Sequence, residues 1–201
     1  MPTTPSPAAG PTVHPPVLDV ALRQRLQEMA ALEQAAAVAA LALLAAGNRH
    51  AVLHRLQLGH ARYLKDIVAR QGWPTASMVG DDSSTYCLRL LLVCADLAFQ
   101  IRCTALIEQA VAAGECHAVH YAFISDRTAV ALGARQQFGT QIDPVTTRPY
   151  PIEDSEDVDA RRSSVGLAPL IEVLEGYRAR LQSVAPARKI AGGAGGGGLS
   201  G

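Results

Sequence analysis

Between Asp19 and Gly133 the apolar residues recur at three- and four-residue spacing. That repeat fits one face of an α-helix and no strand, so it constrains the fold more than any other feature of the chain. It is interrupted where helices stop. Gly47 and Gly72-Trp73-Pro74 break it first, then Gly114 and Gly133. Glycine suits a left-handed helix terminus, and proline lacks the N–H that would continue the ladder.

These stops divide the chain into rods. Asp19 caps a first helix reaching about Ala46, with Leu22, Leu26 and Met29 on one face. Asn48 caps a second that runs to Gln71 and carries Val52, Leu56, Tyr63 and Ile67. Asp81 or Asp82 caps a third, Ser83 to about Asp96; a fourth spans about Ala98 to Ala113 and a fifth about Cys116 to Leu132. A last helix starts near Val158, bends at Gly166–Pro169 and resumes with Leu170, Val173, Leu174 and Tyr177. Between them, 136–154 loses the helical period. Thr140-Gln141-Ile142 and Val145-Thr146-Thr147 flank an Asp-Pro turn there, which predicts a short hairpin or an ordered loop. A loop of about 19 residues inside a small domain is commonly functional or disordered.

The expected fold is mainly α, a compact bundle of five to six helices with a short β-hairpin or ordered loop, over residues 18–184. The six prolines of residues 1–17 predict an extended disordered leader, and the glycine run of 185–201 a disordered tail. That run has no strand before it and no helix after it, so it is not read as a phosphate loop.

Composition narrows the function. Hydrophobic residues make up 49% and aromatics only 4%, so alanine and leucine fill the interior. Eighteen basic residues balance eighteen acidic ones, which disfavours nucleic acid and anionic membrane as partners. The longest apolar run, Ala35 to Ala46, has about 12 residues where a span needs about 20. No signal peptide is legible at Met1-Pro2-Thr3-Thr4-Pro5, so cytoplasmic residence is expected. Oligomeric state is not legible.

Polar groups that interrupt an apolar helix face are the candidates for a site. Glu33 follows Met29 by four on the first helix, and His60 follows Leu56 by four on the second. In the fifth, one of Asp126 and Arg127 faces inward. A carboxylate, an imidazole and a guanidinium can together supply acid–base chemistry and anion binding. Glu33, His60, Asp126 and Arg127 are therefore the candidate catalytic residues, with Gln34, Tyr63, Cys94, Asp96 and Gln141 as candidate substrate contacts. The bland alternative is a core histidine with its hydrogen bonds met and a structural ion network. Cys116-His117-x-x-His120 lacks the paired cysteines of a closed zinc site, so no metal and no cofactor is expected. A Cys94 nucleophile with His60 as its base is a further arrangement, set against inert core cysteines.

A set of spaced motifs then stands out. Gly72-Trp73-Pro74 precedes Val79-Gly80, and Ala95-Asp96 precedes Phe99-Gln100-x-Arg102-Cys103. Ala110-Val111-Ala112-Ala113-Gly114-Glu115 follows, then Ser125-Asp126-Arg127, Phe138-Gly139-Thr140-Gln141, Pro151-Ile152-Glu153-Asp154 and Val158-Asp159-x-Arg161-Arg162. On these residues the stretch from Glu33 to Tyr177 resembles an actinobacterial domain-of-unknown-function family. The resemblance implies a helical fold with a short hairpin. It also implies a His-Ala-Asp step and an asparagine on the second helix, where this chain has Cys94 and His60, and a segment between Asp96 and Phe99 that is about two residues short. Two functions follow as expectations. One is an enzyme of undefined reaction, a hydrolase or transferase of specialised metabolism, binding a small molecule or peptide; the other is an interaction module without catalysis.

Overall fold

The structure, a computed structural model, describes residues 18–42 and 49–184. The expected leader and tail, the end of the first helix and its Asn48 junction lie outside these residues. Eight α-helices are described: α1 (Val20–Ala42), α2 (Arg49–Gln71), α3 (Ala76–Val79), α4 (Asp81–Val93), α5 (Leu97–Ala112), α6 (Ala118–Ala131), α7 (Val158–Ser164) and α8 (Leu170–Val184). A 3-10 turn at Ser155–Asp157 leads into α7.

The expectation of five to six helices is corrected at two places. Gly72-Trp73-Pro74 does not pass directly into the next rod; it starts the single turn α3. The last helix is two, because the chain reverses at Gly166 (φ +79°) and Pro169 offers no N–H to an incoming α8. The hairpin is corrected too. No strand forms among the described residues; 136–152 holds only single bridges, Gln136 with Ile152 and Ile142 with Pro149. Prolines 144, 149 and 151 remove ladder donors, and the side chains of Asp126, Gln136 and Asp143 accept several of the loop's other N–H groups.

α4 is the central element, packed on α1, α2, α3 and α6, while α5 pairs with α6. Leu26, Leu64, Ile67, Cys87, Leu90, Leu91, Phe99, Ile107 and Ile124 interlock at its centre. Burial of such residues stabilises by roughly 1.5–3 kcal/mol each before chain entropy is counted.

Local chemistry sets the helix ends. The Asp19 carboxylate accepts the Leu22 N–H at 2.9 Å, and Asp96 accepts the Phe99 N–H at 2.9 Å. The third rod differs from expectation: Gly80 occupies the cap, and Asp81 and Asp82 sit in the first turn of α4, where carboxylates favour the helix dipole. Gln100, buried in α5, donates to the Leu91 and Cys94 carbonyls at 3.0 and 2.9 Å and so closes the far end of α4.

Candidate functional site

The structure sorts the candidate residues into three separate groups. The first lies at the meeting of α1, α2 and α4. Glu33 is buried, and one of its oxygens, Oε1, stands 2.7 Å from His60 Nδ1 and 2.7 Å from the Tyr86 hydroxyl. The hydroxyl is also 2.8 Å from His60 Nδ1, closing a triangle. The consistent assignment has Tyr86 O–H and His60 Nδ1–H both donating to an ionised Glu33. Burial, reinforced by the Glu33 hydrogen bond and charge, pushes the Tyr86 phenol far above its usual range, so it stays protonated and donates. His60 Nε2 makes no hydrogen bond to a described residue, and the His60 side chain is 12% exposed. A carboxylate on Nδ1 with Nε2 left open is the arrangement of an oriented proton-transfer imidazole.

Tyr86 is the member that sequence reasoning missed. On an apolar helix face a tyrosine reads as core, and its ring is indeed core; only the hydroxyl's need for a buried partner could have flagged it. Tyr63 is half-buried against that core, and Gln34 is exposed.

The second group surrounds Asp126 of α6, whose side chain is fully buried. Its oxygens accept the N–H groups of Gln137 (2.8 Å), Phe138 (3.1 Å) and Thr140 (2.9 Å) and the Thr140 hydroxyl (3.0 Å). Gln136 continues the clasp. Its Oε1 accepts the Gln141 N–H at 2.9 Å, and its Nε2 donates to the Gln141 and Tyr150 carbonyls. Arg162 of α7, buried and without a hydrogen-bonded carboxylate, donates to the carbonyls of Phe138 and Ala168 at 2.6 Å. Burial depresses its guanidinium, while the charges of Asp159 and Asp126 act the other way. These groups are saturated by backbone, so their structural work is to hold the Phe138-Gly139-Thr140-Gln141 turn. The Gln141 side chain donates to Thr140 Oγ1 at 3.0 Å, and Arg127 is exposed. No hydrogen bond links this clasp to the Glu33 triangle among the described residues.

The third group lies where α2 faces the start of α5. Asp96 Oδ2 pairs with Lys65 Nζ at 2.7 Å while its other oxygen caps α5. The Lys65 hydrogen bond, then the Phe99 N–H, holds the Asp96 carboxyl below its ordinary range. Lys65 also stands 5.4 Å from the Phe99 ring centre. The pair separates two open grooves. One, of about 660 Å³, is lined by residues including Val68, Phe99, Arg102 and Leu106. The other, of about 340 Å³, is lined by Leu58, Ala61, Arg62, Cys94 and Asp96. Cys94 makes no hydrogen bond to His60. Among the described residues no three His, Cys, Asp or Glu side chains converge as metal ligands. No described helix is long and apolar enough to cross a membrane.

An all-helical domain that carries a carboxylate–imidazole–phenol triangle and a carboxylate-clasped loop is the class defined here. The chain belongs to DUF6624, a family of unknown function, which matches residues 19–181. No curated protein and no solved structure is detectably similar to it.

Proposed function

We propose that this chain is a cytoplasmic enzyme that binds a small molecule or peptide and moves a proton through His60 Nε2. The single observation that carries this reading is the 2.7 Å contact of Glu33 Oε1 with His60 Nδ1, on a ring whose Nε2 has no hydrogen-bond partner among the described residues. Glu33 holds the tautomer that bears its proton on Nδ1, so the Nε2 lone pair is free to accept one from a substrate. Tyr86 stabilises the carboxylate and fixes the ring. Hydrolysis and group transfer both use such a base, and specialised metabolism is the setting proposed for it. Asp96, Cys94 and Tyr63 remain candidates for substrate contacts.

The test is a nitrogen-detected NMR titration of the histidine rings against a panel of metabolites and dipeptides. Ligands of one chemical class are expected to shift His60 Nε2, and His60→Gln is expected to lower any turnover of them at least about tenfold. Ligands that bind and turn over equally well with His60→Gln would overturn the reading.

A second reading, a non-catalytic interaction module, is favoured by one observation. The clasped loop displays Val145 at 88% exposure on a turn held by Asp143, which accepts the Val145 N–H at 2.8 Å. An apolar side chain presented on an ordered tip suits a protein partner. Val145→Asp would abolish stoichiometric capture of such a partner while His60→Gln left it intact.

A further inference from the structure

A cluster of polar atoms away from His60 lies where the turn after α2, the start of α4 and the start of α6 meet. Cys116 Sγ is 3.2 Å from His120 Nδ1, and His120 Nε2 is 3.3 Å from Thr85 Oγ1. A thiol, an imidazole and a hydroxyl in sequence is the order of an oriented nucleophile. Cys116 is 8% exposed and Thr85 is exposed, so the cluster borders the surface.

Around it stand donors without other acceptors. Trp73 Nε1 and Ser84 Oγ are buried and find no acceptor but the Cys116 sulfur, with Trp73 3% and Ser84 0% exposed. Unpaired buried donors are costly and rare, and a redox or catalytic role is one of the recognised reasons for them. Both flank the Cys116 sulfur and, with the His117 N–H, favour its charged form. A neutral thiol is a weak acceptor, which is why the two donors stay unsatisfied beside it. An oxygen placed on that sulfur would satisfy both.

We propose that Cys116 is a modification site at which hydrogen peroxide, or a small hydroperoxide, forms a sulfenic acid whose oxygen is received by Trp73 Nε1 and Ser84 Oγ. His120 Nε2–H donates to Thr85, leaving the Nδ1 lone pair on the thiol. As sulfur attacks one peroxide oxygen, His120 Nδ1 takes the thiol proton and the O–O bond breaks with its electron pair on the far oxygen. That oxygen leaves as hydroxide and recovers the proton as water. Sulfur is oxidised by two electrons and peroxide is reduced by two. Burial raises the Cys116 thiol and lowers His120, so the resting pair is neutral, and its slight exposure admits a reagent of peroxide size while excluding bulky electrophiles.

The full chain is treated with hydrogen peroxide, unfolded in the presence of a cyclic 1,3-dione that traps sulfenic acids, and mapped at Cys87, Cys94, Cys103 and Cys116. The dione is expected on Cys116 at least about tenfold over the other three, with His120→Gln slowing its appearance about tenfold or more. Ser84→Ala and Trp73→Phe each delete an unpaired donor and are expected to lower the trapped fraction. Ser84→Ala does so without a fall in Tm, which a merely structural role would not produce. Equal labelling of the four thiols, an unlabelled Cys116, or parental labelling in Ser84→Ala and His120→Gln overturns the proposal.

Discussion

Glu33 and His60 are 27 residues apart in the chain and 2.7 Å apart in the fold, and the Tyr86 hydroxyl touches both. The contact joins α1 to α2, and Tyr86 ties the pair to α4. Any change at one corner is therefore felt at the other two.

Tyr86→Phe keeps the ring in the core and removes only the hydroxyl, leaving a buried carboxylate with one partner fewer. Urea unfolding is expected to give a loss of about 1–3 kcal/mol at an unchanged m-value. Glu33→Gln combined with it should show a coupling of roughly 0.5–3 kcal/mol. Strict additivity would mean the triangle does not act as a unit.

Asp126→Asn is nearly isosteric but turns a donor, the amide N–H₂, toward backbone N–H groups that need an acceptor. The expected cost is about 2–4 kcal/mol, read as a lower urea midpoint. Amide exchange should quicken at Gln137, Phe138 and Thr140, the three N–H groups the carboxylate holds. Unchanged exchange would show the loop to be held by other means.

Gly139 has φ +68°, and a Cβ there would come within 3.0 Å of Ile152 Cδ1 and 3.2 Å of Leu170 Cδ1. Strain and overlap act together, so Gly139→Ala should destabilise by roughly 1–3 kcal/mol. A calorimetric Tm equal to that of the parent chain would refute this.

Burial lowers His120 from 6.5 to about 4. Between those values the unfolded chain binds the proton and the folded one does not, so stability is present above pH 6.5 and is lost as pH falls toward 4. The contribution is on the order of 3 kcal/mol. His120→Gln should flatten the slope of stability against pH over that interval relative to the parent chain. Parallel slopes would mean that His120 titrates as freely in the fold as in the unfolded chain.

Much of the architecture was legible because it is local. The cap at Asp19 and the end of α2 at Gly72-Trp73-Pro74 follow from short-range hydrogen bonding and backbone sterics, whereas Asp96, expected at the end of the third rod, instead caps α5. Glu33, His60 and Asp126 stood out as polar residues on apolar faces, and the structure buries Glu33 and Asp126 and all but the edge of His60. Their partners were not legible. Nothing near Asp126 in the chain says that its carboxylate goes to the 137–140 backbone, and nothing near Tyr86 says that its hydroxyl meets α1. The hairpin expectation failed for a related reason: Asp126 and Gln136 accept the N–H groups that a ladder would have used.

By itself, then, the sequence determined the rods, most of their ends and the apolar face each one buries, since periodicity and capping act within a few residues. Only the tertiary structure decided which polar groups meet. That depends on how each helix is rotated and how closely it crosses its neighbours, and a shift of an ångström or two there separates a 2.7 Å hydrogen bond from an unpaired charge.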